Sequence, residues 1–318
     1  MNLTRRSMLS TAGSLAIAGG ALAKATPKPA TEDDSGKISV PGGKVWWRRF
    51  GKGKPKTPML LLHGGPGAGH DYLLRMQALA DERPVIFYDQ LGCGRSDAPD
   101  DASLYTFERF VTEVDAVRYR LGLERFILFG QSWGAMLAIE YFVTGHGKDV
   151  EKLILAGGLA SIPQASAGIN RLVDALPNGV GKRIRALEAA GKQNTPEYEK
   201  LVGIFYDTHV CRTNPKPSEY QATIANLSKS PAYRIMNGPN EFTIVGTIKD
   251  WERRPDLGKI KVPTLITTGE FDEVTIDCQD TLRTGIAGSR FEVMKGCSHL
   301  TMLEQPDAYN AIVRKFIA

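Results

Sequence analysis

A serine between two glycines stands where an apolar run ends and a helical pattern begins. The pentapeptide GQSWG, residues 130–134, directly follows the apolar run Phe126–Phe129. Small residues around a serine permit the tight strand-to-helix turn that lifts its hydroxyl above a sheet. The helix N-terminus at this point favours developing negative charge. We therefore predict that Ser132 is a nucleophile; a serine that merely caps a helix is the alternative.

A serine hydroxyl is a poor nucleophile unless a base takes its proton, and the chain has five histidines. Only His299 lies late in the chain, just past a predicted strand, with a strand-end acid, Asp272, before it. The order Ser132, Asp272, His299 is that of an α/β-hydrolase triad. We predict that His299 moves the proton and that Asp272 holds the imidazole tautomer and stabilises the imidazolium.

The segment HGGPG, residues 63–67, lies directly after another apolar run. Glycines there let backbone N–H groups approach a ligand closely. In serine hydrolases such a loop and the residue after the nucleophile form the oxyanion hole, so we assign the amides of Gly65 and Trp133 to it. A phosphate-binding glycine loop is the alternative, but no P-loop lysine follows.

Three acids, Glu270, Asp272 and Glu273, fall within four residues where the apolar run beginning at Thr264 ends. A solvated loop would explain such a cluster, and like charges this close repel one another. The predicted triad accounts for Asp272 alone. The residue pattern alone does not assign a role to Glu270 or Glu273, and we expect Glu270 to be structural or solvated.

Short apolar runs alternate with amphipathic helical patterns on both sides of a long interruption. The predicted strands are apolar on both faces, as in a parallel sheet covered by helices. They are Met59–Leu62, Val85–Tyr88, Phe126–Phe129, Leu153–Ala156, Thr264–Thr267 and Phe291–Met294. Residues 162–258 lack strong strands and are rich in helical segments. We predict a doubly wound, mostly parallel α/β core over residues 37–161 and 259–318, with a helical cap inserted over residues 162–258.

The composition is that of an ordinary globular protein, with 42% hydrophobic and 24% charged residues in 318. The net charge of +5 is modest, and the scattered basic residues predict no nucleic-acid partner. One dense run, Trp46–Arg49, is typical of an edge strand. The four cysteines match no metal motif and could form up to two disulfides in an oxidising compartment. A domain of this size does not need disulfides, so we expect free, partly buried thiols.

The first 25 residues differ from the rest of the chain. Arg5 and Arg6 precede a weakly apolar stretch that ends in Ala21-Leu22-Ala23, a small-residue cleavage pattern. This segment resembles a twin-arginine export signal, with Met8 where that motif usually has phenylalanine. A disordered tail is the alternative. We expect a signal at 1–25, a linker at 26–36, and an exported, periplasmic or secreted protein without a membrane anchor after signal removal.

Taken together, these motifs resemble the proline iminopeptidase family of serine aminopeptidases, and in particular its tricorn-interacting aminopeptidase branch. The matching segments are HGGPG at 63–67, DQLGCGRS at 89–96, GQSWG at 130–134, NGPNEF at 237–242, GEFDE at 269–273 and GCSH at 296–299. Leu91 departs from the pattern, since many members have arginine there, and an export signal is unusual for such enzymes.

The resemblance implies an α/β-hydrolase fold with a helical cap and roles for two further acids. In similar enzymes a cap glutamate and the glutamate after the catalytic aspartate bind the substrate's free α-amine; these positions are Glu241 and Glu273. As an alternative, Glu241 only caps a helix or forms a salt bridge within the cap. The implied activity is release of an N-terminal residue, preferentially proline, from short peptides through an acyl-enzyme, without metal or organic cofactor.

Three alternatives to this activity remain open on the sequence. An amidase for small amino-acid amides such as prolinamide would use the same site. In a carboxylesterase the carboxylates would be incidental. A binding protein on a hydrolase fold would lack turnover. The expected partner is a small peptide or amino-acid amide substrate, and nothing in the sequence indicates the oligomeric state.

Overall fold

The computed structural model describes residues 33–318, in which eight strands form one sheet. The strands are β1 Asp34–Val40, β2 Gly43–Phe50, β3 Met59–Leu62, β4 Val85–Asp89, β5 Phe126–Gln131, β6 Val150–Ala156, β7 Thr264–Gly269 and β8 Arg290–Met294. Their order is β1-β2-β4-β3-β5-β6-β7-β8. Strand β2 pairs antiparallel with both of its neighbours, β1 and β4, and the six strands β3 to β8 are parallel. This is the doubly wound, mostly parallel sheet that the sequence predicts.

Nine α-helices occur in the described part of the chain. They are α1 Phe107–Arg120, α2 Trp133–Val143, α3 Ile162–Asp174, α4 Val180–Ala189, α5 Pro196–His209, α6 Ser218–Lys229, α7 Ile276–Gly285, α8 Thr301–Glu304 and α9 Pro306–Ile317. Helices α3 to α6 all lie between β6 and β7, in the interval predicted to be a cap. No helix in residues 33–318 is long and apolar enough to cross a bilayer.

The central strands form because their side chains are apolar on both faces. Every residue of β3, β4 and β5 is buried. A parallel sheet has both faces covered by crossover helices, so alternation of polar and apolar residues is lost. Each fully buried leucine of β3 contributes about 1.5–3 kcal/mol to stability. The buried runs therefore hold the strand ends, and the loops that follow them, in a rigid frame.

The order in which strands are added to the sheet changes direction at β3. From β3 it passes to β4 on one side and then returns to β5 on the other. In open α/β sheets a crevice opens at such a switch point, outside the carboxyl ends of the strands. The glycine loop at 63–67 follows β3, and Ser132 follows β5. The topology thus brings the two predicted parts of the oxyanion hole side by side.

The amino-terminal hairpin corrects two expectations. Strand β1 begins at Asp34, so Asp34–Gly36 belong to the sheet rather than to the predicted linker. The strand was missed because it is mostly polar and only half-buried; its residues are held by pairing such as Gly36 with Trp47. Trp46–Arg49 lie in β2, which is covered by β1 and is therefore not the edge. The predicted signal at 1–25 and residues 26–32 of the linker lie outside the described residues.

The segment between β6 and β7 is anchored to the core through a buried carboxylate on α2. Glu140 accepts hydrogen bonds from Trp251 Nε1 at 3.0 Å and from both Arg253 Nε and Nη2, at 2.8 and 2.9 Å. Such bidentate arginine pairing fixes orientation as well as distance. The four cysteines are free in this structure, and all four are buried.

Candidate functional site

Ser132 occupies a strained turn between β5 and α2. Its backbone has φ 53° and ψ −118°, a conformation that residues other than glycine rarely adopt. Its glycine neighbours are needed for steric reasons. A Cβ on Gly134 would lie 2.1 Å from the carbonyl oxygen of Leu62, and one on Gly130 would lie 2.2 Å from that of Gly134. The sequence motif is therefore the signature of this turn, which carries the hydroxyl to the crevice above the sheet.

His299 and Asp272 meet at the carboxyl ends of β8 and β7. His299 Nδ1 lies 2.7 Å from Asp272 Oδ1, and both side chains are buried. The aspartate is itself held, because Val274 N–H donates to Oδ1 at 2.8 Å and the Thr268 hydroxyl donates to Oδ2 at 2.9 Å. Ser132 and His299 line the same cavity. The structure thus brings together the three residues that the sequence placed in order.

The glycine loop lies directly against the nucleophile turn. Gly65 and Trp133 each line a cavity that also contains Ser132. Trp133 is the first residue of α2, a position at which the N–H has no intrahelical acceptor. Two residues that sequence reasoning missed hold this arrangement. The Tyr72 hydroxyl accepts from Gly64 N–H at 2.7 Å and donates to Gln131 Oε1 at 2.6 Å. Gln131 stood inside the pentapeptide but carried no recognised signal.

His63, which opens the glycine loop, is structural. Gln90 N–H donates to His63 Nε2 at 3.0 Å, and Gln90 Oε1 accepts from the Trp133 indole at 2.8 Å. Burial lowers the pKa of His63 to about 4, so the ring is neutral at physiological pH and accepts this hydrogen bond. A chain of contacts therefore ties the loop after β3 to the residue after the nucleophile.

The two predicted amine-binding acids line the cavities on both sides of Ser132. Glu241 Oε1 accepts from the Tyr233 hydroxyl at 2.8 Å. Glu273 is 3% exposed, and its Oε1 lies 3.6 Å from His299 Nε2. Within residues 33–318, Glu273 Oε2 has no hydrogen-bond partner although it is buried. A buried carboxylate oxygen without a partner is costly, and it points to a donor that arrives from outside the protein.

The electrostatics of this cluster are unusual. Burial raises the pKa of Glu273 well above its ordinary value, and the charge of Glu241 adds to that effect. Burial also raises the pKa of Glu241, in spite of its hydrogen bond from Tyr233. For His299 burial opposes the charged form, but Asp272 and the two glutamates outweigh it and raise the pKa to about 9. A bound ammonium group would therefore favour the charged forms of both glutamates.

Glu270, the third acid of the cluster, does not line either cavity around Ser132. Its carboxylate accepts from Gly296 N–H at 3.0 Å and from Lys295 Nζ at 3.3 Å. These contacts join the loop after β7 to the loop that carries His299. Glu270 is structural and solvated, as expected.

His209, at the end of the cap helix α5, is a functional position that sequence reasoning passed over. Its carbonyl oxygen accepts from the N–H groups of Glu273 at 3.2 Å and His299 at 3.1 Å. Its ring Nδ1 donates to the carbonyl oxygen of Phe271 at 2.9 Å. The cap thus holds the backbone of both loops. No signal in the sequence pointed to these contacts, because every residue type has a backbone carbonyl.

Two cavities flank Ser132. One is lined by His299 together with aromatic and aliphatic side chains of the cap. The other is mostly apolar and includes Met136, Ile162 and Ile169. Both are bordered by Glu241 and Glu273. In the described residues, no group of three or more His, Cys, Asp or Glu side chains is arranged to hold a metal ion.

Comparison with known proteins agrees with this geometry. The family model for the alpha/beta hydrolase fold matches residues 57–306. A proline iminopeptidase of Thermoplasma volcanium is 40% identical over 89% of this chain and 96% of the relative, and one of Saccharolobus solfataricus is 37% identical over 89% and 92%. The solved proline iminopeptidase of Mycobacterium smegmatis has a TM-score of 0.84 at 35% identity, covering 89% of this chain and 97% of that one. The crystal structure of VinJ has a TM-score of 0.86 at 34% identity, with coverages of 90% and 99%. The α/β-hydrolase fold and the resemblance found in the sequence are confirmed, and the chain belongs to the proline iminopeptidase family of α/β hydrolases.

Proposed function

We propose that this protein is a serine aminopeptidase that releases the first residue, preferentially proline, from short peptides. The observation that carries the proposal is the unpartnered carboxylate oxygen of Glu273, buried beside His299 in a cavity that Glu241 also lines. An ammonium group that enters such a site gains charge-assisted hydrogen bonds. A substrate without a free amine would leave the carboxylates unpaired.

In the proposed mechanism, Ser132 attacks the carbonyl carbon of the first residue while His299 takes the hydroxyl proton. Asp272 holds the imidazole and stabilises its charged form. The N–H groups of Gly65 and Trp133 bind the oxyanion, and loss of one such donor typically costs about 3 kcal/mol of transition-state stabilisation. His299 then protonates the leaving amine, and water releases the acyl group from the serine by the reverse sequence.

The preference for proline is supported by the relatives, which are named proline iminopeptidases. The apolar cavity that Ser132 lines and His299 does not agrees with a compact, uncharged side chain on the first residue. The incoming amine of such a residue would reach Glu241 and Glu273, which border that cavity as well.

The activity test compares kcat/KM for prolyl-, alanyl- and N-acetylprolyl-β-naphthylamide. Strong turnover of the prolyl compound with the acetylated compound near background is the expected result. Equal turnover of the free and acetylated compounds would overturn the proposal and favour a carboxylesterase. Failure of Ser132 to react with a fluorophosphonate would indicate a binding protein instead.

We also propose that residues 1–25 direct export through a twin-arginine-type signal and that the mature protein is not anchored in the membrane. Support comes from the sequence pattern around Arg5 and Arg6. The amino-terminal residue of the protein recovered from the periplasm or medium tests this. Recovery only from the cytoplasm, with Met1 intact, would refute it.

A further inference from the structure

A groove of about 370 Å³ opens on the cap beside the catalytic cavity. It is formed by α5, by the end of α6 and by the turn that follows α6. Tyr206, Ile224 and Leu227 line both this groove and the cavity that contains Ser132 and His299. The two spaces are therefore separated only by the side chains of a shared wall.

The wall of the groove is seated on the glycine loop. Leu227 packs against Gly65, since a Cβ placed on that glycine would lie 3.2 Å from Leu227 Cδ2. Ser230, which also lines the groove, donates from its hydroxyl to the carbonyl oxygen of Gly92 at 2.7 Å. These contacts hold the groove in a defined place relative to the predicted oxyanion hole.

The groove lies beside the cavity that contains the predicted proton donor for the leaving amine. His299 protonates the leaving amine in acyl transfer, so the leaving group must lie within its reach. His299 lines the cavity next to the groove and does not line the apolar cavity on the other side of Ser132. A peptide that continues beyond the scissile bond is thus directed toward the groove.

The groove carries positive charge. Its only charged lining residues within the described chain are Lys229 and Arg234, and both are exposed. Lys229 makes no ion pair in residues 33–318, whereas Arg234 Nη2 lies 2.5 Å from Asp100 Oδ1 on the open surface. On the other side of the shared wall, the cavity around Ser132 is bordered by Glu241 and Glu273, and Glu241 accepts a hydrogen bond from Tyr233, which also lines the groove. The groove thus carries basic residues, and the catalytic cavity beside it carries acidic ones.

A short peptide has the complementary charges, an ammonium at its first residue and a carboxylate at its last. We propose that the groove binds the leaving part of a short peptide and that Lys229 and Arg234 bind its C-terminal carboxylate. This rests on the proposed aminopeptidase function and deepens it. The protein then acts on short peptides with a free carboxyl end in preference to amino-acid amides such as prolinamide.

The test compares prolyl dipeptides, tripeptides and tetrapeptides of alanine with their C-terminal amides. At the length that reaches the groove, kcat/KM should be roughly fivefold higher for the free acid, as expected for partly solvated charge pairs. Lys229→Gln and Arg234→Gln should each reduce this ratio toward one, and Lys229→Glu should favour the amide. Added salt should reduce the ratio in the wild type, because exposed charges are screened.

Two controls separate this inference from the function on which it rests. Lys200→Gln removes an exposed lysine of the cap, in α5, that does not line the groove, and it should leave the ratio unchanged. Prolyl-β-naphthylamide, which has no carboxylate, should be hydrolysed equally by all variants. Equal turnover of acids and amides by a wild type that hydrolyses prolyl-β-naphthylamide would overturn the groove assignment alone. No turnover of any prolyl compound would overturn both proposals.

Discussion

Substitution of Glu273 is the most direct test of how the site recognises the substrate amine. Glu273→Gln keeps the size of the side chain and removes an ionisable carboxyl group that lies 3.6 Å from His299 Nε2. Loss of the charged partner for a substrate ammonium in a buried site costs about 2–5 kcal/mol, or roughly 30- to 5,000-fold in kcat/KM. We expect a loss in this range on prolyl-β-naphthylamide, and Glu241→Gln should act in the same direction.

The same substitution should also change the pH dependence. Two unit charges 3.6 Å apart interact by about 1 kcal/mol in bulk water and about 5 kcal/mol at an effective dielectric constant of ~20. Even the lower value corresponds to about one pH unit. Without the carboxylate that favours its charged form, His299 loses its proton more readily. The acid limb of kcat/KM should therefore move to lower pH by about one unit or more.

The assay measures kcat/KM from pH 5 to 10 together with the rate of fluorophosphonate labelling at Ser132. Glu270→Gln is the matched control, because it removes a carboxylate from the same loop that does not line the cavity. Labelling should persist in Glu273→Gln and Glu241→Gln. Unchanged amine-substrate kinetics in both variants would refute the reasoning, as would an equal loss in Glu270→Gln.

Three further predictions concern the base, the nucleophile turn and the cap. In the wild type, kcat/KM should rise with pH toward about 9, because His299, whose pKa is raised to about 9, must be neutral to accept a proton; a plateau reached by pH 7 would contradict this. Gly134→Ala should lower the free energy of unfolding by about 3 kcal/mol or more, and with it the thermal midpoint, because the Cβ of the alanine would lie 2.1 Å from a backbone oxygen. Gly203→Ala, in open space on α5, should instead raise stability by up to ~1 kcal/mol, and equal effects of the two would refute the steric argument. His209→Phe should lower kcat about tenfold with little change in KM, since displaced catalytic loops that raise the activation free energy by about 1.4 kcal/mol slow the reaction tenfold. His209→Asn can supply the same donor to Phe271 and should restore kcat. A fall in thermal midpoint without a change in kcat would assign the ring a purely structural role.

The sequence predicted best those features that depend on the conformation of a short stretch of backbone. Ser132 was identifiable because only small neighbours permit its turn, and the steric limits at Gly130 and Gly134 are local. The central strands were identifiable because burial on both faces leaves an unbroken apolar run, as in β3. The pairing of Asp272 with His299 was inferred from their order and from the strands that precede them, and the two lie 2.7 Å apart.

Strand β1 shows where such local reasoning ends. Its residues are mostly polar and half-buried, so neither periodicity nor hydropathy marks them. They form a strand because β2 offers a row of unpaired backbone groups, as in the pairing of Gly36 with Trp47. That partner is a property of the assembled sheet.

By itself, the sequence determined the six parallel strands, the nucleophile turn and the order of the three catalytic candidates, because each depends on residue types within one strand and its following loop. Only the tertiary structure decided that Glu241 and Glu273 border the same cavities, that Glu273 keeps an unpartnered oxygen, and that the His209 carbonyl holds both loops. The reason is physical. These features depend on how the helical cap packs on the sheet, which brings together backbone and side-chain groups whose meeting leaves no pattern along the chain.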